Sequence, residues 1–263
     1  NATAPLRPQA RDAMMAVFGP AVNPSSVHTE GRAARRIVDD ARAPVAALVR
    51  ATPQQVVFTG GGTEANALAL SPALQPAGAK GQVFQRLVVS AVEHPSVMSG
   101  GRFAKDAIVE VPVTGDGVID LDALDAVLAQ GPRALVSVML ANNETGVVQP
   151  ISQVAAKVHQ HGGLLHVDAV QAAGKIAIDI NALGADVYTI TAHKLGGPQG
   201  VGALILCQDV GLDPLVVGGG QERGRRPGTE SVAAIAGFGA AAAEAAKLAA
   251  TSSMRARRDR LEA

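Results

Sequence analysis

The chain has 263 residues, 48% of them hydrophobic, and its 23 basic side chains equal its 23 acidic ones. It can therefore bury one large core or two smaller ones, and it presents no concentrated positive field for a nucleic acid or a membrane surface. A single cysteine, Cys207, excludes an internal disulfide framework and a multi-cysteine metal cluster. The sequence opens without a charged leader, and charges break its apolar runs well short of a bilayer span, so the expectation is a cytoplasmic protein acting on small metabolites.

The first strong helical pattern is 31–49, where Ala34, Ile37, Val38, Ala41, Val45 and Leu48 share a face. Pro44 interrupts it and predicts a kink or two shorter helices. Apolar runs of strand length, rich in Val, Ile and Leu, recur at 55–60, 86–91, 108–113, 134–140, 164–169, 186–192 and 202–207. Helical periods separate most of them, at 63–74, 96–105, 121–129 and 152–161. This β-α-β alternation predicts an α/β fold: a mainly parallel seven-stranded sheet sandwiched by helices. From Glu230 an alanine-rich helix runs on without a capping signal, which suggests that the natural polypeptide continues.

Three segments carry chemistry. The run Val56 to Asn66 is a strand entering the turn Gly60-Gly61-Gly62-Thr63, which opens a helix. Free backbone N–H groups at such a helix start bind anions, and glycine lets a phosphate approach. Taken alone, the segment is equally a tight βα turn with Thr63 as its N-cap. It lacks both the Walker and the dinucleotide spacing.

In the second segment Asp168 ends an apolar strand, where ligands bind in open α/β sheets. It either keeps a pyridine nitrogen protonated or caps the following turn. Gln171 one turn later either meets a phenolic cofactor oxygen or is a surface amide. In the third segment Lys194 follows a buried strand and precedes Gly196-Gly197-Pro198, with Thr191 and His193 beside it as candidate phosphate donors. A partly desolvated lysine becomes the neutral amine that attacks an aldehyde. The combination points to pyridoxal 5′-phosphate held on Lys194 as a Schiff base.

These residues, with Asn23-Pro24-Ser25-Ser26, Glu93-His94, Asn142-Asn143-Glu144-Thr145-Gly146 and the stretch Gly218 to Thr229, resemble the cysteine desulfurases, class V members of the fold-type-I pyridoxal-phosphate enzymes. The resemblance implies a large cofactor-binding domain at 21–245, an N-terminal segment at 1–20, and at 246–263 the start of a C-terminal small domain that is mostly missing. It assigns phosphate binding to Gly62, Thr63, Thr191 and His193, and to Thr229 across a homodimer interface. It places His94 on the pyridine face as a proton carrier, Asn143 near the cofactor oxygen and the substrate carboxylate, Asp168 on the ring nitrogen and Gln171 on the phenolic oxygen.

The implied reaction takes sulfur from L-cysteine, giving L-alanine and an enzyme persulfide for a sulfur-acceptor protein. The persulfide cysteine and the arginine for the substrate carboxylate are expected beyond this chain, since Cys207 does not match the nucleophile's position. The chain could then hold cofactor without completing turnover. Another class V enzyme, such as a selenocysteine lyase or an aminotransferase, shares the same cradle. A phosphate-binding α/β protein in which Lys194 is incidental is the non-enzymatic alternative. His159 and His161 stand two apart on a helix and so do not share a face for a metal. A buried, inert thiol is the expectation for Cys207.

Overall fold

The computed structural model describes residues 2–19, 23–75, 83–207 and 210–249. In chain order its elements are α1 (Pro8–Met15), α2 (Thr29–Ala47), β1 (Val56–Thr59), α3 (Gly62–Ala69), β2 (Arg86–Ser90), α4 (Pro95–Met98), β3 (Ile108–Val111), α5 (Leu121–Ala129), β4 (Ala134–Ser137), α6 (Ile151–Gln160), β5 (Leu164–Asp168), α7 (Ile180–Leu183), β6 (Val187–Thr191), β7 (Gly202–Leu206) and α8 (Val232–Ala249).

Among the described residues seven strands form one sheet in the order β1-β7-β6-β5-β4-β2-β3. Pairing is parallel from β6 across to β3, whereas β7 runs antiparallel to both β6 and β1. The reason is the short connection from Thr191 to Gly202, which has no room for a crossover helix. Because two antiparallel steps restore direction, β1 points the same way as β6. The C-terminal ends of β1, β2, β4, β5 and β6 therefore open on one edge of the sheet.

Both faces of the central strands are buried, as continuous apolar runs require. Alternate residues feed two cores: Val56 and Phe58 face the cluster built with α2, α5, α6 and α8, while Val57 faces the cluster built with α3 and α4. Val136, Val167 and Ile205 join the first cluster, and Leu135, Leu164 and Leu204 the second. α8 packs along α1 and α2.

Several expectations are corrected. Of the two outcomes expected at Pro44, division into two helices does not occur: α2 continues through it as one helix; the missing N–H removes a single bond, and buried Ala41 and Val45 on either side hold the helix to the core. The helix expected at 63–74 ends at Ala69, where Leu70 leaves helical geometry at φ −82°, ψ 68° and its carbonyl accepts from the Arg102 backbone N–H at 2.9 Å. The helix expected at 96–105 is only Pro95–Met98, stopped by Gly100 and Gly101 at φ 81° and 57°. The domain boundary expected near 20–21, and nearly all of the segment 246–263, lie outside the described residues.

Candidate active site

The open edge of the sheet holds a cavity of about 620 Å³ lined by Gly62, Thr63, His94, Asn143, Asp168, Gln171, Thr191, His193 and Lys194, together with Asn66, Ser96 and Glu144. Nine of the ten residues expected from the sequence thus meet in one place, although they come from five strand ends. Thr229 stands apart. It is exposed and lines a different, smaller cavity with Gly60, Glu222 and Arg226.

The floor begins at the turn into α3. Gly61 adopts φ 151°, a conformation closed to residues with a Cβ. A Cβ on Gly202 at the start of β7 would lie 2.7 Å from the Gly61 carbonyl carbon, so the turn presses directly on the sheet. The N-cap position is Gly61, and it offers no side-chain cap. Thr63 is therefore not the cap that its sequence position suggested. The first intrahelical bond of α3 runs from the Ala65 N–H to the Gly61 carbonyl. The N–H groups of Gly62, Thr63 and Glu64 precede it, at the positive end of the helix dipole.

Asp168 closes β5 and is buried. Its Oδ2 accepts from Asn66 Nδ2 and its Oδ1 from the Val170 N–H, both at 2.9 Å. Both donors are neutral. Burial raises the carboxyl above the usual aspartate range, against the pull of these two bonds and of the charges on His94 and Lys194. The same Asn66 Nδ2 donates to Ser96 Oγ at 2.9 Å, and Ser96 Oγ lies 2.8 Å from His94 Nδ1. Asn66, to which no sequence motif assigns a role, thus links the buried acid to the histidine. It stands four residues after Gly62 on α3, and that spacing puts both on one face.

His94 caps α4, its Nδ1 accepting from the Ser96 N–H at 3.2 Å. A ring whose Nδ1 accepts keeps its proton on Nε2. The capping role and the place on the cavity wall therefore coexist in one residue. Its neighbour Glu93 is buried beneath, with Oε1 accepting from Ser90 Oγ at 2.6 Å and from the Met139 N–H at 2.7 Å. Burial pushes the Glu93 carboxyl up to about 8. Below the cavity His166 is sealed between Ser137 Oγ and Thr189 Oγ1, at 2.8 and 3.0 Å, and burial lowers its pKa to about 3.

Lys194 sits just past β6 and is partly buried. Burial lowers its pKa, with Asp168 and Glu144 opposing. His193 is lowered too, by burial first and then by Lys194 and Lys175. The N-terminal segment fixes this loop: the Ala4 N–H donates to the His193 carbonyl at 2.9 Å and the Arg7 N–H to that of Gly196 at 2.8 Å. The Thr191 hydroxyl donates to the Val201 carbonyl at 3.2 Å, so it turns lone pairs, not a proton, toward the cavity.

Cys207 lies beyond β7, outside the cavity lining, and burial pushes its thiol up to about 12. His159 and His161 bond to different aspartates, Asp186 at 2.9 Å and Asp125 at 3.1 Å.

The family model for aminotransferase class-V matches residues 1–263. The chain belongs to the class-V aminotransferase family. Its relatives there are cysteine desulfurases: the one from Cereibacter sphaeroides is 42% identical over 272 residues, covering 100% of this chain and 68% of its own length. The one from Trichormus azollae is 41% identical over 249 residues, covering 92% of this chain and 60% of its own length. Among solved structures, a NifS-like protein from Rickettsia africae superposes with a TM-score of 0.83 at 34% identity, covering 95% of this chain and 68% of that one. The chain thus spans about 60% to 68% of the length of these relatives.

Proposed function

We propose that this chain is the pyridoxal-phosphate-binding part of a cysteine desulfurase, which removes sulfur from L-cysteine, releases L-alanine and passes the sulfur through a protein persulfide to an acceptor protein. The observation that carries the reading is the convergence of Lys194, Asp168, His94 and the uncapped start of α3 on one cavity. The donor set fits the cofactor. Backbone N–H groups at Gly62 and Thr63 suit a phosphate, and a buried carboxylate with neutral partners suits a ring N–H. The partly desolvated lysine suits an aldehyde.

Bound there, pyridoxal phosphate supplies an electron sink that weakens bonds at the substrate Cα. The chain's own residues do the rest. Lys194, its ammonium disfavoured by burial, holds the cofactor covalently and afterwards carries a proton at Cα. His94 presents its Nε2 proton to the cavity, because Nδ1 is committed to the α4 cap. Asp168 would accept a hydrogen bond from the ring N–H and so keep that nitrogen protonated. Asn143 orients the substrate carboxylate, and His193, kept neutral, binds phosphate through its ring N–H. Cys207 does not take the sulfur, since its half-buried thiol lies outside the cavity and burial holds it in the protonated form. The reaction needs another thiol.

The protein works as a homodimer in which exposed Thr229 reaches the partner's site. It belongs in the cytoplasm, where thiols such as Cys207 stay reduced. Among the described residues no helix is long and apolar enough to cross a membrane.

The test is spectroscopic. Protein mixed with pyridoxal phosphate is expected to turn yellow, and borohydride is expected to fix the cofactor on the peptide containing Lys194. Lys194→Ala is expected to lose both signals. A wild-type protein with no reducible chromophore would remove the reading. For the full-length protein, alanine formed from cysteine in step with persulfide separates a desulfurase from a transaminase.

A further inference from the structure

Resting on the cofactor reading above, we infer that Lys175 is a positioning residue that fixes which end of the Gln171 amide faces the cofactor oxygen. Lys175 Nζ donates to Gln171 Oε1 at 2.7 Å. An ammonium has three donors and no acceptor, so the amide atom against it has to be the oxygen. The NH2 end of Gln171 is consequently committed to the other side, and the chain presents a donor to the cavity that Gln171 lines. Without the lysine, the amide is symmetric in shape and can present its oxygen instead, which repels an anionic cofactor oxygen.

The backbone sets the pair up. Gln171 and Lys175 stand four apart on the run of turns that follows β5, in which the Lys175 N–H bonds to the Ala172 carbonyl at 3.0 Å. Between them Gly174, at φ 75°, closes the run against α8 and the lysine loop. A Cβ there would lie 2.9 Å from Ala245 Cβ and 3.1 Å from Leu195 Cβ. A residue larger than glycine at 174 would push Lys175 away from the site. Lys175 is half-buried. Burial and the charge on Lys194 lower its pKa, so its electrostatic reach extends to the covalent anchor. The other charged or titratable groups acting on this corner are His193, Asp168 and Glu144.

A donor on the cofactor oxygen, backed by a positive charge, opposes the proton on the nitrogen that joins Lys194 to the cofactor. The pH midpoint of the yellow band reads that proton directly. In loaded protein, Lys175→Met is expected to raise the midpoint by about one unit, and Lys175→Arg, which still only donates, to restore it to within about 0.3 unit. In a Gln171→Ala background Lys175→Met is expected to add less than about 0.3 unit, because its effect runs through the amide. A midpoint unmoved by Lys175→Met overturns the inference. So does an undiminished shift in the Gln171→Ala background, which would make Lys175 a through-space charge only. A wild-type protein that forms no borohydride-reducible chromophore overturns the cofactor reading along with it, whereas a normal wild-type band with an unmoved variant overturns the inference alone.

Discussion

Two buried carboxylates, Glu222 and Asp168, sit in different parts of the molecule and are held in opposite ways. Glu222 is 1% exposed and lies beside β1, where the two terminal guanidinium nitrogens of buried Arg42 grip it and the Phe58 N–H donates to it at 2.8 Å. Burial works against the Arg42 charge, yet its contacts with Glu222 hold the guanidinium above its ordinary value. Around this clamp Glu222 and Arg223 take left-handed φ of 47° and 61°. Each such residue stores on the order of 1–3 kcal/mol, which persists only where the surroundings enforce it. Arg223 adds a 3.0 Å bond to the Val56 carbonyl, and Arg226 bonds Glu64 at 2.7 Å at the start of α3. Asp168, in contrast, has two neutral donors and a raised pKa. One carboxylate is fully matched by its own chain and serves the fold. The other keeps its charge poorly compensated and faces the cavity of about 620 Å³ where the candidate site residues meet, which is the signature of a ligand site.

The largest effect on stability is expected at the clamp. Glu222→Ala takes from buried Arg42 its two-pronged partner and leaves it only the Val56 carbonyl and the longer contact with Asp39, so unfolding free energy should drop by about 3–5 kcal/mol and the melting temperature by roughly 10 °C. A melting curve like the wild type's would dissolve the contrast between the two sites. Glu93 tests the intermediate case of an acid near the cavity with only neutral donors. Its folded pKa, about 8, lies above the unfolded value, so the protonated form is favoured by folding. The stability it contributes is present in full below about pH 4.5 and is lost as pH rises through 8. Glu93→Gln imitates the protonated form. The variant should gain on the wild type between pH 5 and pH 9 by on the order of 3 kcal/mol, read from urea midpoints at each pH. Parallel curves would show that Glu93 ionises normally.

What the sequence disclosed depended on how local the signal was. All seven strands are visible as runs rich in Val, Ile and Leu: the central ones are buried on both faces, and the more exposed edge strand β3 still has three apolar residues in four. Asp168 was visible because it ends such a run. The antiparallel entry of β7 was also legible in principle, since the stretch between Thr191 and Gly202 is too short for a crossover. Helix ends depart from the apolar periodicity where it outlives the helix: Leu70 and Leu74 are buried and keep the spacing, but the chain has already left α3. Gly100-Gly101 was a stop signal that the periodicity of 96–105 overrode. The Arg42–Glu222 clamp joins residues 180 positions apart, and no pattern along the chain announces such a pair. The Asn66–Ser96–His94 link was hidden for the same reason, as it spans two separate strand ends.

The smallest change in stability, and the one that bears most on function, is expected at Asp168. Asp168→Asn removes an acid that burial already disfavours in its charged form. One of its two donors loses an acceptor, but Asn66, whose Oδ1 is buried without a partner, can flip and accept from the new amide. The net change in unfolding free energy should stay within about 1 kcal/mol. Cofactor affinity should respond quite differently. A charged acceptor on a ring N–H is worth about 1.5–3 kcal/mol, so binding of pyridoxal phosphate should weaken by roughly 10–100-fold. A variant that melts far below the wild type would place Asp168 with Glu222 as a structural acid. Unchanged stability with weakened binding separates the two carboxylates: at Glu222 the chain answers its own charge, and at Asp168 it reserves one for a ligand.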